Sequence, residues 1–164
     1  MADKCIVNIN DVSLDERKHG NRFAAKVGRV GPIVGMTQLG CTLHVVPPGK
    51  RAYPFHAHHE NEEMFFILSG RGEYRCGEDT FPIKPGDVIA APAGKTAHQI
   101  VNSGAEELRY LGISTIGSID LVEYPDSNKF AVAAGVKNAD LKSATFVYVG
   151  RKGQPLDYWE GEPD

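Results

Sequence analysis

Cysteine is scarce in this chain, with three residues in 164, and tryptophan occurs once. Cys5, Cys41 and Cys76 are odd in number and form no CxxC pair. That argues against a disulfide framework and for reduced thiols in a cytoplasmic setting. Long apolar runs are missing as well: no stretch approaches the ~20 residues that a bilayer-spanning helix needs. The opening MADKCIVNIND holds no apolar run of signal-peptide length, so none is expected. Nor does one sign of charge dominate. Eighteen Lys and Arg against 21 Asp and Glu give a net charge of -3. With the basic residues scattered, neither nucleic acid nor an anionic membrane is an expected partner.

What is present is an ordinary globular balance, 41% apolar and 24% charged, in a length that suits one domain. Eighteen glycines and ten prolines punctuate the middle of the chain and leave short apolar runs at 41–46, 64–68, 88–91, 97–101 and 108–113. Short strands with turn signals at this spacing predict an all-β sandwich or barrel. No segment between 35 and 115 carries a 3.6-residue apolar period. The polar stretch 11–22 is expected to wrap the surface, and a short helix is expected near 138–142. The domain is read as 1–164, with a core at about 35–115 and extensions at 1–34 and 116–164.

The chemistry-bearing residues fall in that core. In a strand, residues two apart share a face, so His56 and His58 project together, away from Phe55 and Ala57. Glu63 opens the next run after a polar turn, and His98 lies on a separate strand. In a rolled sheet, inward residues of neighbouring strands meet at one level. Three imidazoles and one carboxylate meeting there make a nitrogen/oxygen site suited to a transition metal rather than Ca or Mg. Each residue alone has a blander reading, as a hydrogen-bonded histidine or a solvated carboxylate. The ordered set of four is what points to metal.

His59 and Glu62 fail the same-face test beside His58 and Glu63. His44 lies in an apolar strand as a core or pocket histidine, His19 is expected at the surface, and Cys76 is expected to be a packed side chain. Phe65, Ile67 and Ile100 are expected to wall the site, with Tyr53, Gln99, Arg75 and Arg109 as candidate polar contacts. Met64, Phe66 and Leu68 make the second face of the Glu63 strand apolar too. That face needs a cover, from the extensions or a second subunit.

Two blocks resemble the two motifs of the cupin superfamily. Gly49, His56, His58, Glu63 and Gly70 follow the first, with six residues rather than the usual five between Gly49 and His56. Gly86, Pro92, Gly94, His98 and Asn102 follow the second, with three residues rather than the common two between Gly94 and His98. The resemblance implies a double-stranded β-helix, or jelly-roll barrel, extended at both ends. It implies one divalent transition metal (Zn, Mn, Fe or Ni) on His56, His58, Glu63 and His98. It also implies a small-molecule ligand and a homodimer.

Three functions compete under that resemblance. The chain is similar to small cupins assigned to sugar-phosphate isomerases. Its HxH-x4-E spacing is also like that of germin-like and oxalate-type cupins, which are metal-dependent dioxygenases or decarboxylases of small organic acids. A ligand-binding sensor without turnover is the third. An isomerase needs a phosphate anchor, so Lys50, Arg51 or Lys95 is expected to point inward if that reading holds.

Overall fold

The computed structural model describes residues 5–137 and 141–163. The described residues hold strands and four short 3-10 turns, with no α-helix among them. The apolar runs of the sequence become β3 (Leu39–Val46), β5 (Glu63–Ser69), β8 (Val88–Ala91), β9 (His98–Val101) and β10 (Leu108–Thr115). Between them lie β4 (Ala57–His58), β6 (Gly72–Cys76) and β7 (Asp79–Ile83). The polar stretch near the start lies largely at the surface, as expected, and does so as regular structure. It forms a hairpin of β1 (Asp15–His19), exposed throughout, and β2 (Phe23–Arg29). Alternation cannot reveal β1, because an edge strand can be held by backbone pairing alone without burying a face.

A six-stranded sheet runs β1-β2-β3-β10-β5-β8, and a three-stranded sheet runs β7-β6-β9. Their inner faces close on one core, with Val46, Phe65, Ile67 and Tyr110 from the first and Tyr74, Ile83 and Ile100 from the second. Ala25 and Val27 of β2 join that core. Residues placed in the leading extension are therefore part of the barrel wall. On the outside of β3 a second cluster of Val12, Val30, Leu43 and Val45 is covered by Val7 and Ile9, with Leu68 packed against it. The leading segment thus covers Leu68, while Met64 and Phe66 remain partly exposed at 40% and 38%.

The tail forms β11 (Ile119–Tyr124), β12 (Lys129–Ala134) and β13 (Phe146–Arg151), a meander that joins β4 in the order β13-β12-β11-β4. Residues 138–140 of the expected short helix lie outside the described residues, and Leu141–Ser143 is one 3-10 turn.

Turn chemistry sets the strand entries. Gly70 closes β5 with φ 80°, and a Cβ there would lie 2.4 Å from the Glu107 carbonyl oxygen. Only glycine meets both demands. Gly86, φ 91°, turns the chain into β8 with its N–H donating to the Ile67 carbonyl.

Candidate metal centre

Three sheets deliver the four predicted residues to one place. His98 begins β9, and an isolated bridge pairs it with His56 through two backbone hydrogen bonds, 3.1 and 2.7 Å. His58 sits in the two-residue β4, which pairs with β11. Glu63 begins β5 between β8 and β10, opposite Ala91 and Ser114.

The side chains converge on one oxygen. Glu63 Oε2 lies 2.9 Å from Nε2 of His98, 3.4 Å from that of His58 and 3.5 Å from that of His56. His56, Glu63 and His98 offer ligand atoms all within 4.8 Å of one another. The His56 and His58 rings stand edge to face at 5.0 Å. His98 is buried, and the other three side chains are 13–19% exposed. The site is therefore largely, but not fully, shielded from solvent.

The partners on the far side of each ring decide the chemistry. His56 Nδ1 lies 2.8 Å from the Pro54 carbonyl oxygen, which can only accept, so Nδ1 carries the hydrogen. His58 Nδ1 lies 2.5 Å from Asp120 Oδ2, again an acceptor. When neutral, both rings are thereby fixed with their Nε2 lone pairs facing the Glu63 carboxylate. Lone pairs and a carboxylate oxygen gathered within 3.5 Å repel unless a cation lies among them. The donor set fits a transition metal on this ground.

A proton can be that cation in the metal-free protein, and the protonation equilibria follow from it. Burial disfavours a charged His58, but hydrogen bonds to Asp120 and Glu63 outweigh it and raise its pKa to about 9. Burial would also raise Glu63, yet three imidazole hydrogen bonds hold it far below the carboxylate range. His98 is lowered, chiefly by burial.

Asp120 is the functional residue that the sequence reading missed. It lies on β11 in the tail, 62 residues from His58. It also accepts from Asn61 Nδ2 at 2.9 Å and from the Glu60 amide at 3.3 Å. Its one available signal was an acidic residue set between the apolar Ile119 and Leu121.

The face test holds for the excluded neighbours. His59 is exposed, 3.3 Å from Glu123, and Glu62 is exposed. Among the polar candidates, Tyr53 lines the cleft beside the cluster. Gln99 is buried, with its amide donating to the Tyr53 carbonyl. The other two leave the site. Arg109 points outward and donates to Asn10 at 3.0 Å, and Arg75 pairs with Asp126 at 2.8 Å over the Phe55 ring. Both β10 and β6 are wetted outside, and each guanidinium finds an acceptor there.

The cupin domain family matches residues 42–114, and those residues contain all four members of the cluster. The chain carries a cupin domain. A 67-residue stretch is 39% identical to an uncharacterized protein of Methanocaldococcus jannaschii, covering 41% of this chain and 52% of that one. Another stretch of 68 residues is 34% identical to an oxalate-binding protein of Thermotoga maritima, covering 42% of this chain and 54% of that protein. The matches span about half the length of these curated relatives. A crystal structure from Acidithiobacillus ferrooxidans, of a protein with a provisional sugar phosphate isomerase name, superposes with TM-score 0.81 at 26% identity. It covers 94% of this chain and 97% of that one, so the structural likeness extends beyond residues 42–114.

Proposed function

We propose that this cupin is a metal-dependent enzyme acting on a small polar or anionic metabolite, with His56, His58, Glu63 and His98 as the ligands of one divalent transition metal. The convergence of three Nε2 atoms on Glu63 Oε2 carries the reading. A bound metal would polarise the carbonyl or hydroxyl oxygen of a chelating ligand. The chain's residues do the rest. Asp120 and the Pro54 carbonyl orient two imidazoles, and Phe65, 5.6 Å from the His98 ring, keeps water from the inner side. Tyr53, Val122 and Tyr124 border a cleft of about 240 Å³ over the cluster. That is below the ~300–1,000 Å³ usual for drug-sized ligands, so the substrate is small.

Sugar-phosphate isomerisation is the first activity to test, supported by the likeness along nearly the whole chain. Conversion of a small organic acid is the second. Its support is that the cleft, among the described residues, is lined by no Lys or Arg. Lys50 donates instead to the Asn21 carbonyl at 2.6 Å, and Lys95 is exposed. Protein loaded with Mn, Fe, Ni or Zn is incubated with aldose and ketose phosphates or with oxalate and related acids, and followed by NMR. Aldose–ketose interconversion supports the first reading, and acid consumption supports the second. Tight binding without product would contradict both and leave a sensor.

We propose also that the protein is a cytoplasmic homodimer. Met64, Phe66 and Val88 form an exposed apolar strip on β5 and β8, which a second copy would cover. A monomeric mass at micromolar concentration contradicts this.

A further inference from the structure

The tail sheet lays a second hollow beside the metal cleft. Its volume is about 370 Å³, more than twice the ~150 Å³ that can hold a benzene ring. His58, Val122 and Tyr124 line both this hollow and the cleft over the cluster. All three stand on one face of the sheet. Val122 and Tyr124 are two apart on β11, and His58 is paired directly opposite Val122. The two spaces therefore adjoin on the same side of the tail sheet. His58 marks the junction, with Nε2 toward Glu63 and Nδ1 toward Asp120, which lines the hollow.

The sequence builds that face concave. In one row across the sheet, Val122 is opposed by Ala131 and Ala131 by Val149. In the next, Asp120 is opposed by Ala133 and Ala133 by Val147. Each row has its smallest side chain on the central strand. Alanine is a poor strand former, so two alanines here give up strand propensity and leave space.

Polar side chains that line the hollow are engaged with the protein itself. Asp120 holds His58 and Asn61. Asn61 Oδ1 accepts from the Gly117 amide at 2.7 Å, and Thr115 Oγ1 accepts from the Glu62 amide at 2.9 Å. Among the described residues, no Lys or Arg lines it. What remains for a ligand is apolar surface, open along Val147 and Val149, which are 51% and 60% exposed.

We propose that this hollow is an apolar subsite of the metal cleft, and that the ligand chelates the metal through a carboxylate or α-hydroxy-carboxylate and lays a short alkyl chain over Ala131 and Ala133. This rests on the proposed function and narrows its organic-acid reading to acids with an apolar chain. A recessed floor continuous with the metal cleft suits a ligand better than the face of a second copy.

Calorimetric titration of Co(II)-loaded protein with glycolate, 2-hydroxybutanoate and 2-hydroxyhexanoate tests it. Full burial of a methylene is worth about fourfold in affinity. With one side of the hollow open, a gain of about tenfold to a hundredfold from the shortest acid to the longest is expected. Ala131→Leu fills the floor and is expected to cut that gain to less than about threefold, with glycolate affinity and metal content unchanged. No gain with chain length in wild type, or a gain that Ala131→Leu leaves intact, overturns the inference. Methyl ¹H–¹³C NMR of the wild type needs no variant: the Ala131 and Ala133 methyls are expected to shift with 2-hydroxyhexanoate. Methyls that ignore the ligand and follow protein concentration instead mean that a second copy fills the hollow, which also overturns it. Failure to take up Co(II) sinks the metal reading alone, because the same methyls titrated with hexanoate on metal-free protein still decide whether the hollow takes an alkyl chain.

Discussion

Asp120 Oδ2 lies 2.5 Å from His58 Nδ1 and so ties the tail sheet to the centre of the barrel. A carboxylate behind a ligating imidazole fixes its tautomer and raises its basicity, and removing such a partner typically costs 10–100-fold in metal affinity. Asp120→Asn keeps the shape and loses the charge. It is expected to weaken metal binding by about tenfold, read by competition with a chromophoric chelator, with unchanged far-UV circular dichroism. Unchanged affinity contradicts the orienting role.

His58 and His59 are neighbours with opposite fates. His58→Ala removes one of the three nitrogens around Glu63 and is expected to lower metal content sharply. His59→Ala touches only an exposed pair with Glu123 and is expected to leave it nearly unchanged. Elemental analysis of protein purified without chelator compares the two.

His44 gives a stability profile with a defined sign. Burial lowers its pKa from 6.5 to about 4. The unfolded chain takes up a proton at 6.5 that the folded chain refuses until about 4, so this contribution is full above pH 6.5 and falls as the pH drops through that window. At about 1.4 kcal/mol per unit, the loss between pH 6.5 and 5 is about 2 kcal/mol. Urea unfolding of metal-free wild type and His44→Gln isolates it: the stability gap between the two is expected to shift against wild type by that amount. A gap independent of pH contradicts a buried neutral His44.

Gly70 is held at φ 80° with its missing Cβ against the Glu107 carbonyl. Gly70→Ala adds both a strained backbone and a steric clash, and is expected to cost about 1–3 kcal/mol. Its effect should appear as a lower urea midpoint with an unchanged slope.

The core strands and the four-residue cluster were legible in the sequence because both obey local rules. Alternation put Phe65 and Ile67 inside with Glu63 and put Met64 and Phe66 outside, as found. The two-residue spacing put His56 and His58 on one face. Where the sequence was silent, the determinant was not local. β1 has no buried face to announce it, and Asp120 acts through a contact 62 residues away. Arg75 and Arg109 follow the alternation of their strands: Tyr74, Leu108 and Tyr110 face the core, so the arginines beside them point outward to Asp126 and Asn10, and naming them as site contacts overlooked that parity. His44 was read as core or pocket and is core, with its one polar contact, Tyr53, reaching the cleft.

X-ray absorption spectroscopy of the Co(II)-loaded protein tests the central claim most directly. One metal per chain is expected, with three imidazole nitrogens and at least one oxygen in the shell, and with one imidazole lost in His98→Ala. A shell of oxygens alone, or a spectrum that His98→Ala leaves unchanged, would contradict it.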